Sequence, residues 1–513
     1  MLSWFAIGVA ATAAIYACLG AAELAWGGRD GRGIDAGNKV LRSMAQYTSM
    51  GAVLGGGHGA LPKLKTGHSA LPRFGLQPEP MGMRDLRGAL WLAVACAIGL
   101  LFAPVALLGR LVFGVCPLVP RSRVLVLMIR TLFRKPRQQA RVRFRMTAFW
   151  LSRYALMPFW ASCYYLDELV CAGRWLVGLG GWSAVVRPLF EISNRRSGST
   201  DLGVKLASME GIYAPCFAQE MYPFYWFWQL ECALTWCGLL TPRRLSERDV
   251  AAWARTVTGR EMKKMQQASP SKPGTFEVGT SMWTYVLGPV GLFQEGCGTG
   301  YGIQPPYAQE DLEQFLLFTD KLLRKCATFA PAGQRLMIKG HMIYAAEELA
   351  AMYQGSTFVC ILREPLQQVK SSCNWLYVTR AQSLQRKRCG EGRWDEVIAS
   401  TCRFGWYWQA EADFYGASCA RETASGTRKV VLRFDDYVSD SAAAIAEVLH
   451  AAGFQICREA VQDRLDSVTL GRAGKGEKED YKFTCSLDEL GIAHLPAIWC
   501  KGWCETFAHK LGG

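Results

Sequence analysis

The chain has 513 residues, half of them hydrophobic, and a formal net charge of +15. That length exceeds one ordinary domain, and that apolar content suits a membrane-attached globular protein better than a disordered chain. The whole basic surplus lies within residues 28–145 while the remainder balances, so the bulk is not a polyanion-binding body and no nucleic-acid partner is expected.

The first predicted element is an apolar stretch at residues 3–26 (SWFAIGVAATAAIYACLGAAELAW), long enough to span a bilayer. It lacks the basic start of a secretory signal, so residues 1–27 read as an uncleaved transmembrane anchor. Residues 28–87 form a Gly-rich basic loop that includes GAVLGGGHGALP. Residues 88–120 are a second transmembrane segment, with no charge between 88 and 109 (GALWLAVACAIGLLFAPVALLG). Residues 121–186 are basic and amphipathic. Their first part (RSRVLVLMIRTLFRKPRQQARVRFR) suits anionic lipid headgroups. Residues 146–186 are aromatic but interrupted by Arg153, Asp167, Glu168 and Arg174, which fits an interfacial helix pair. Basic loops flank the second span on both sides, so the positive-inside rule selects neither orientation.

From 187 to 513 the pattern changes. Apolar runs (LFEIS, RLMIK, TFVCILR, KVVLRF) each lead into a helical segment. That alternation predicts an α/β domain with a central parallel sheet, whose ligands bind at the carboxyl ends of the strands. The first run leads into Ser193-Asn194-Arg195-Arg196-Ser197-Gly198-Ser199-Thr200. Such a loop aims backbone N–H groups at an anion, and the two arginines and the hydroxyls add donors. The same residues equally fit a plain helix start capped by Ser199 or Thr200. It is not a Walker A loop, which would need G-x-x-x-x-G-K-[ST].

The second run ends in Lys339-Gly340-His341. His341 suits general-base work and Lys339 suits stabilising developing negative charge. The third ends in Arg363, followed by Pro365 in a first helical turn and by Ser371 about two turns on. Arg363 offers a forked contact to a phosphate and Ser371 a hydroxyl; a surface arginine and an exposed serine are the bland alternative. The fourth ends in Asp435-Asp436-Tyr437, read as structural turn and capping residues. The aromatic segment 213–237 fits either an acceptor wall or a core or membrane-facing helix. The 19 cysteines show no repeated C-x-x-C pair and read mostly as small buried residues. No metal site is expected.

In order and separation these strand ends resemble the sulfotransferases that use 3'-phosphoadenosine 5'-phosphosulfate (PAPS). Arg196-Ser197-Gly198-Ser199-Thr200 resembles the family's 5'-phosphosulfate loop, usually Lys-Ser-Gly-Thr-Thr. RLMIKGHMIYAAEEL resembles its Lys-x-His strand end, and Arg363 to Ser371 its 3'-phosphate motif. The resemblance implies a P-loop-like three-layer fold preceded by transmembrane helices. It implies His341 as catalytic base, with Lys339 and Arg196 assisting at the sulfuryl group. It implies PAPS binding by Arg195, Arg196, Ser197, Gly198, Ser199, Thr200, Arg363 and Ser371, with no metal cofactor. Gly471-Arg472-Ala473-Gly474-Lys475-Gly476 matches the family's C-terminal basic loop loosely, through Arg472 and Lys475. Asp201 departs from the pattern, standing where cytosolic members carry an aromatic residue near the adenine. By analogy with membrane-anchored members, the acceptor is a carbohydrate, lipid or small molecule, and the site an endomembrane such as the Golgi. The competing readings are a P-loop-type kinase, which would want a Walker lysine, and a non-catalytic membrane scaffold that retained the fold.

Overall fold

The structure is a computed structural model that describes residues 81–118, 151–152, 154–194, 197–215, 219, 222–239, 309–340, 342–369, 371, 408–416, 426–467 and 503–507. These residues fall in two compact units, one holding a pair of apolar helices and the other the sheet.

In the first unit, helix α1 covers Met81–Phe113. Its Leu90–Phe113 portion has a mean hydropathy of 2.4 and is long and apolar enough to cross a membrane. Leu101, Leu107, Leu108 and Leu111 all face outward, which suits lipid better than water. Helix α2, Met157–Leu176, packs along α1. Gly99 and Gly109 permit that approach: a Cβ at Gly99 would lie 1.8 Å from the Ala155 carbonyl oxygen, and one at Gly109 would lie 2.2 Å from the Tyr165 ring. The Tyr165 hydroxyl donates to the Gly114 carbonyl at 2.8 Å. The expected anchor at 3–26 and the basic segment 121–145 lie outside the described residues.

The second unit is an α/β domain. Strands β1 (Leu189–Glu191), β2 (Ile212–Tyr213), β3 (Arg335–Lys339), β4 (Thr357–Leu362) and β5 (Arg428–Arg433) form a parallel sheet in the order β2-β3-β1-β4-β5. Four of these strands are the apolar runs expected from sequence. The two-residue β2 is too short to show a pattern.

Alternation along the strands sorts the core onto two faces. Leu189, Met337, Val359, Ile361, Val430 and Leu432 meet Leu202 and Leu206 of helix α3 (Ser199–Ala207). The helix Ser441–Ala451, with Ile445, Val448 and Leu449, completes that layer. On the other face Phe190 stacks on Phe358 at 4.9 Å, and Phe358 meets Phe414 edge-on at 5.1 Å. Each such ring, fully buried, contributes about 2–3 kcal/mol. Helices thus cover both faces of the sheet. The aromatic helix Tyr225–Trp236 buries Tyr225, Trp228 and Glu231 and leaves Trp236 exposed. Of the described cysteines, four are buried and three exposed.

Candidate active site

Several of the predicted residues lie at the carboxyl edge of the sheet. β1 ends in Glu191, and the chain then runs through Ile192, Ser193 and Asn194 before α3. The Ser193 hydroxyl donates to a Glu191 carboxylate oxygen and accepts from the Ile361 N–H at 2.9 Å. One short side chain therefore ties the end of β1 to β4. The Ser197 hydroxyl donates to the Asn194 carbonyl at 2.7 Å and closes the loop on itself.

Gly198 sits at the N-cap of α3 with φ +101°. That left-handed backbone is open to glycine and strained for other residues. No side chain caps the helix start among the described residues, so of the two readings of this loop the plain cap by Ser199 or Thr200 is not what forms. Both instead lie inside the first turn. An uncapped start presents its first N–H groups and the positive end of the helix dipole.

Phe434 begins the helix Phe434–Ser439 that follows β5. A Cβ on Gly198 would lie 3.1 Å from Phe434 Cε2 and 3.8 Å from Ile361 Cδ1. The guanidinium of Arg363, just past the end of β4, lies 4.4 Å from the centre of the same ring. The loop and Arg363 thus converge on one aromatic side chain, and stacking holds the guanidinium plane. Burial pushes the Arg363 pKa down, while the Asp435 and Glu364 carboxylates act to raise it. The side chain remains cationic. After Arg363, the Glu364 carboxylate accepts from the N–H groups of Leu366 (2.9 Å) and Gln367 (2.8 Å), capping a short helix at 365–369. Pro365 occupies its first turn, as its fixed φ favours. Ser371 lies in helical conformation beyond it.

Lys339 ends β3 and is only 1% exposed. It pairs in register with the fully buried Glu191 of β1. Asp201 is not left facing a polyanion unengaged. Its carboxylate accepts from the Tyr437 hydroxyl at 2.5 Å and from Lys205 at 2.8 Å. Burial and Asp201 together hold the Tyr437 hydroxyl well above its ordinary pKa. Tyr437 is structural, as expected. Asp435 and Asp436 occupy the first turn after β5, and the capping carboxylate is Asp440, which accepts from the Ala443 N–H at 2.9 Å.

Ser197, Gly198, Ser199, Thr200, Arg363 and Lys339 therefore share one edge of the sheet. His341, Arg195, Arg196, Arg472 and Lys475 lie outside the described residues. Sequence reasoning missed Glu191, Phe434 and Glu411. Glu411 lies in a helical turn at 408–416 and is fully buried. It accepts from the Asn194 N–H at 2.6 Å and from the Trp503 indole N–H at 3.1 Å. Glu191 could have been noticed as an acid inside an apolar strand.

No family model matches the sequence, and no curated protein matches it. Among solved structures, the chain is similar to sulfotransferase STF1 from Mycobacterium tuberculosis H37Rv, at 10% identity and a TM-score of 0.48, over 78% of this chain and 98% of that one. It is also similar to sulfotransferase STF9 from Mycobacterium avium, at 12% identity and a TM-score of 0.45, over 77% of this chain and 95% of that one. Likeness at this level carries no argument about the chemistry of this chain.

Proposed function

We propose that the chain is a PAPS-dependent sulfotransferase acting on a hydroxyl or amine of a glycan, lipid or small molecule. The observation that carries this reading is the meeting of the uncapped α3 start and Arg363 on Phe434. Two anion-seeking groups from different strands then face one ligand, as a nucleotide with separated phosphates requires.

PAPS supplies an activated sulfuryl group and, as adenosine 3',5'-bisphosphate, its own leaving group. Arg363 and Ser371 hold the 3'-phosphate, which fixes the donor for in-line attack. Ser197, Gly198, Ser199, Thr200, Arg195 and Arg196 hold the 5' end. His341 takes the proton from the acceptor as its oxygen or nitrogen bonds to sulfur. The sulfur–oxygen bond to the 5'-phosphate breaks, and Lys339 with Arg196 stabilises the charge that develops there. No metal takes part in this scheme. The apolar face of α1 makes an integral endomembrane protein, such as a Golgi enzyme, the setting we favour.

The test is transfer of labelled sulfate from PAPS to a panel of glycans and lipids by the full chain in detergent. Transfer that His341→Ala abolishes supports the reading. Absence of transfer and of PAPS binding by the folded chain refutes it and brings forward the scaffold.

A further inference from the structure

Glu411 belongs to no strand end and to no motif of the proposed donor site. Its carboxyl is nonetheless the support on which the loop between β1 and α3 begins. Oε1 accepts from the backbone N–H of Asn194, and Oε2 accepts from the indole N–H of Trp503. Asn194 and Glu411 are fully buried, and Trp503 is 1% exposed. Trp503 packs edge-on against Phe507 at 5.3 Å, so the indole is itself anchored. Tyr415, one turn along from Glu411, donates to the Ile192 carbonyl at 3.2 Å. The 408–416 turn thus grips the loop at two successive points, Ile192 and Asn194.

We propose that Glu411 is a positioning residue for the anion-binding loop, joining the Asn194 N–H to Trp503 so that the loop and the segment at 503–507 move as one piece. This rests on the donor-site reading given above.

A charge argument follows from the same geometry. Burial, with a contribution from Glu191 and against the two hydrogen bonds donated to it, raises the Glu411 carboxyl to about 8. Among the described residues, the ionisable groups that act on it are Glu191 from β1 and Tyr415 from its own turn, whose hydroxyl burial holds well above its ordinary range. Glu411 is mostly neutral at pH 7 and ionises as pH rises through about 8. Ionisation places a new negative charge beneath a loop that binds an anion. Donor affinity therefore weakens as pH rises across that window, and donor binding in turn favours the protonated acid.

The experiment is calorimetric binding of adenosine 3',5'-bisphosphate to the full chain in detergent at pH 6.5, 7.5 and 8.5. It compares wild type, Glu411→Ala, Glu411→Gln and Trp503→Phe, with thermal unfolding beside each. Glu411→Ala is expected to weaken binding about tenfold, the scale of one hydrogen bond to the loop. Glu411→Gln keeps the volume and cannot ionise, and its NH2 group gives up one of the two accepted N–H bonds. It is expected to flatten the weakening that wild type shows toward pH 8.5. Trp503→Phe keeps the packing but loses the N–H, and should weaken binding in the same direction. If Glu411→Ala does not fold, the Glu411→Gln pH profile decides alone. Wild-type binding with an unchanged profile in Glu411→Gln overturns this inference and leaves the donor site standing. No binding by folded wild type overturns both.

Discussion

Glu191 and Lys339 stand opposite one another in register on neighbouring parallel strands, both buried, at the edge where the sheet meets its loop. A buried charge is costly unless it is paired or hydrogen-bonded. If the two side chains compensate one another, replacing Lys339 with Met should destabilise the fold by about 3 kcal/mol. Adding Glu191→Leu should recover much of that loss. Urea unfolding of the two single variants and the double variant measures this. Additive losses would show that the two residues do not compensate one another.

Gly198→Ala should act on both stability and donor binding. Its φ of +101° strains any Cβ, and the new methyl meets Phe434 at 3.1 Å. A loss of about 1–3 kcal/mol is expected. Displacing Phe434 also displaces Arg363. Donor binding should therefore fall even at temperatures where the variant is fully folded. Retained affinity would separate the glycine from the site.

Tyr437→Phe removes the hydroxyl that bonds to Asp201. The expected loss is about 1–2 kcal/mol of stability, with donor affinity within a few-fold of wild type. A much larger fall in affinity would mean that Asp201 reaches the donor directly.

The folded-state pKa of Glu411 lies above its ordinary value, so the folded chain keeps a proton that the unfolded chain releases. Its contribution to stability is fully present below the ordinary carboxyl range and is lost as pH rises through about 8. Glu411→Gln has no such loss. The melting temperature of Glu411→Gln relative to wild type should rise between pH 5 and about pH 8 and level off above it, where the carboxyl is ionised in both states. A constant offset would contradict the assigned cause.

Four of the five strands were legible because each carries an apolar run of two to five residues that ends at a polar loop. The loop after β1 and Arg363 were legible as candidates because each is a local pattern at a strand end. The partner that unites them was not. Phe434 reads as the last apolar residue of KVVLRF, and only the order of strands β1, β4 and β5 brings it between Gly198 and Arg363. Glu411 lay hidden for a similar reason. Its two donors are 217 and 92 residues away in sequence, and no local period announces a carboxylate shared between such distant segments. β2, with two residues, carries no pattern at all.

Phe434 gives a test of the stacking itself. Phe434→Leu keeps an apolar side chain but removes the ring on which the guanidinium lies. Donor binding should weaken about three- to tenfold, the scale of a partly buried cation–π contact. Arg363→Lys retains charge without the planar fork and should weaken binding further. Equal affinity in both variants would sever the ring from the phosphate site.

The measurement that bears most directly on the central claim is calorimetric binding of adenosine 3',5'-bisphosphate to the full chain in detergent, wild type against Arg363→Ala. Saturable binding by wild type, weakened about tenfold to a hundredfold in the variant, is the predicted result, as loss of a charge-assisted contact to phosphate requires. Equal binding by a folded Arg363→Ala chain, or none by folded wild type, would contradict it.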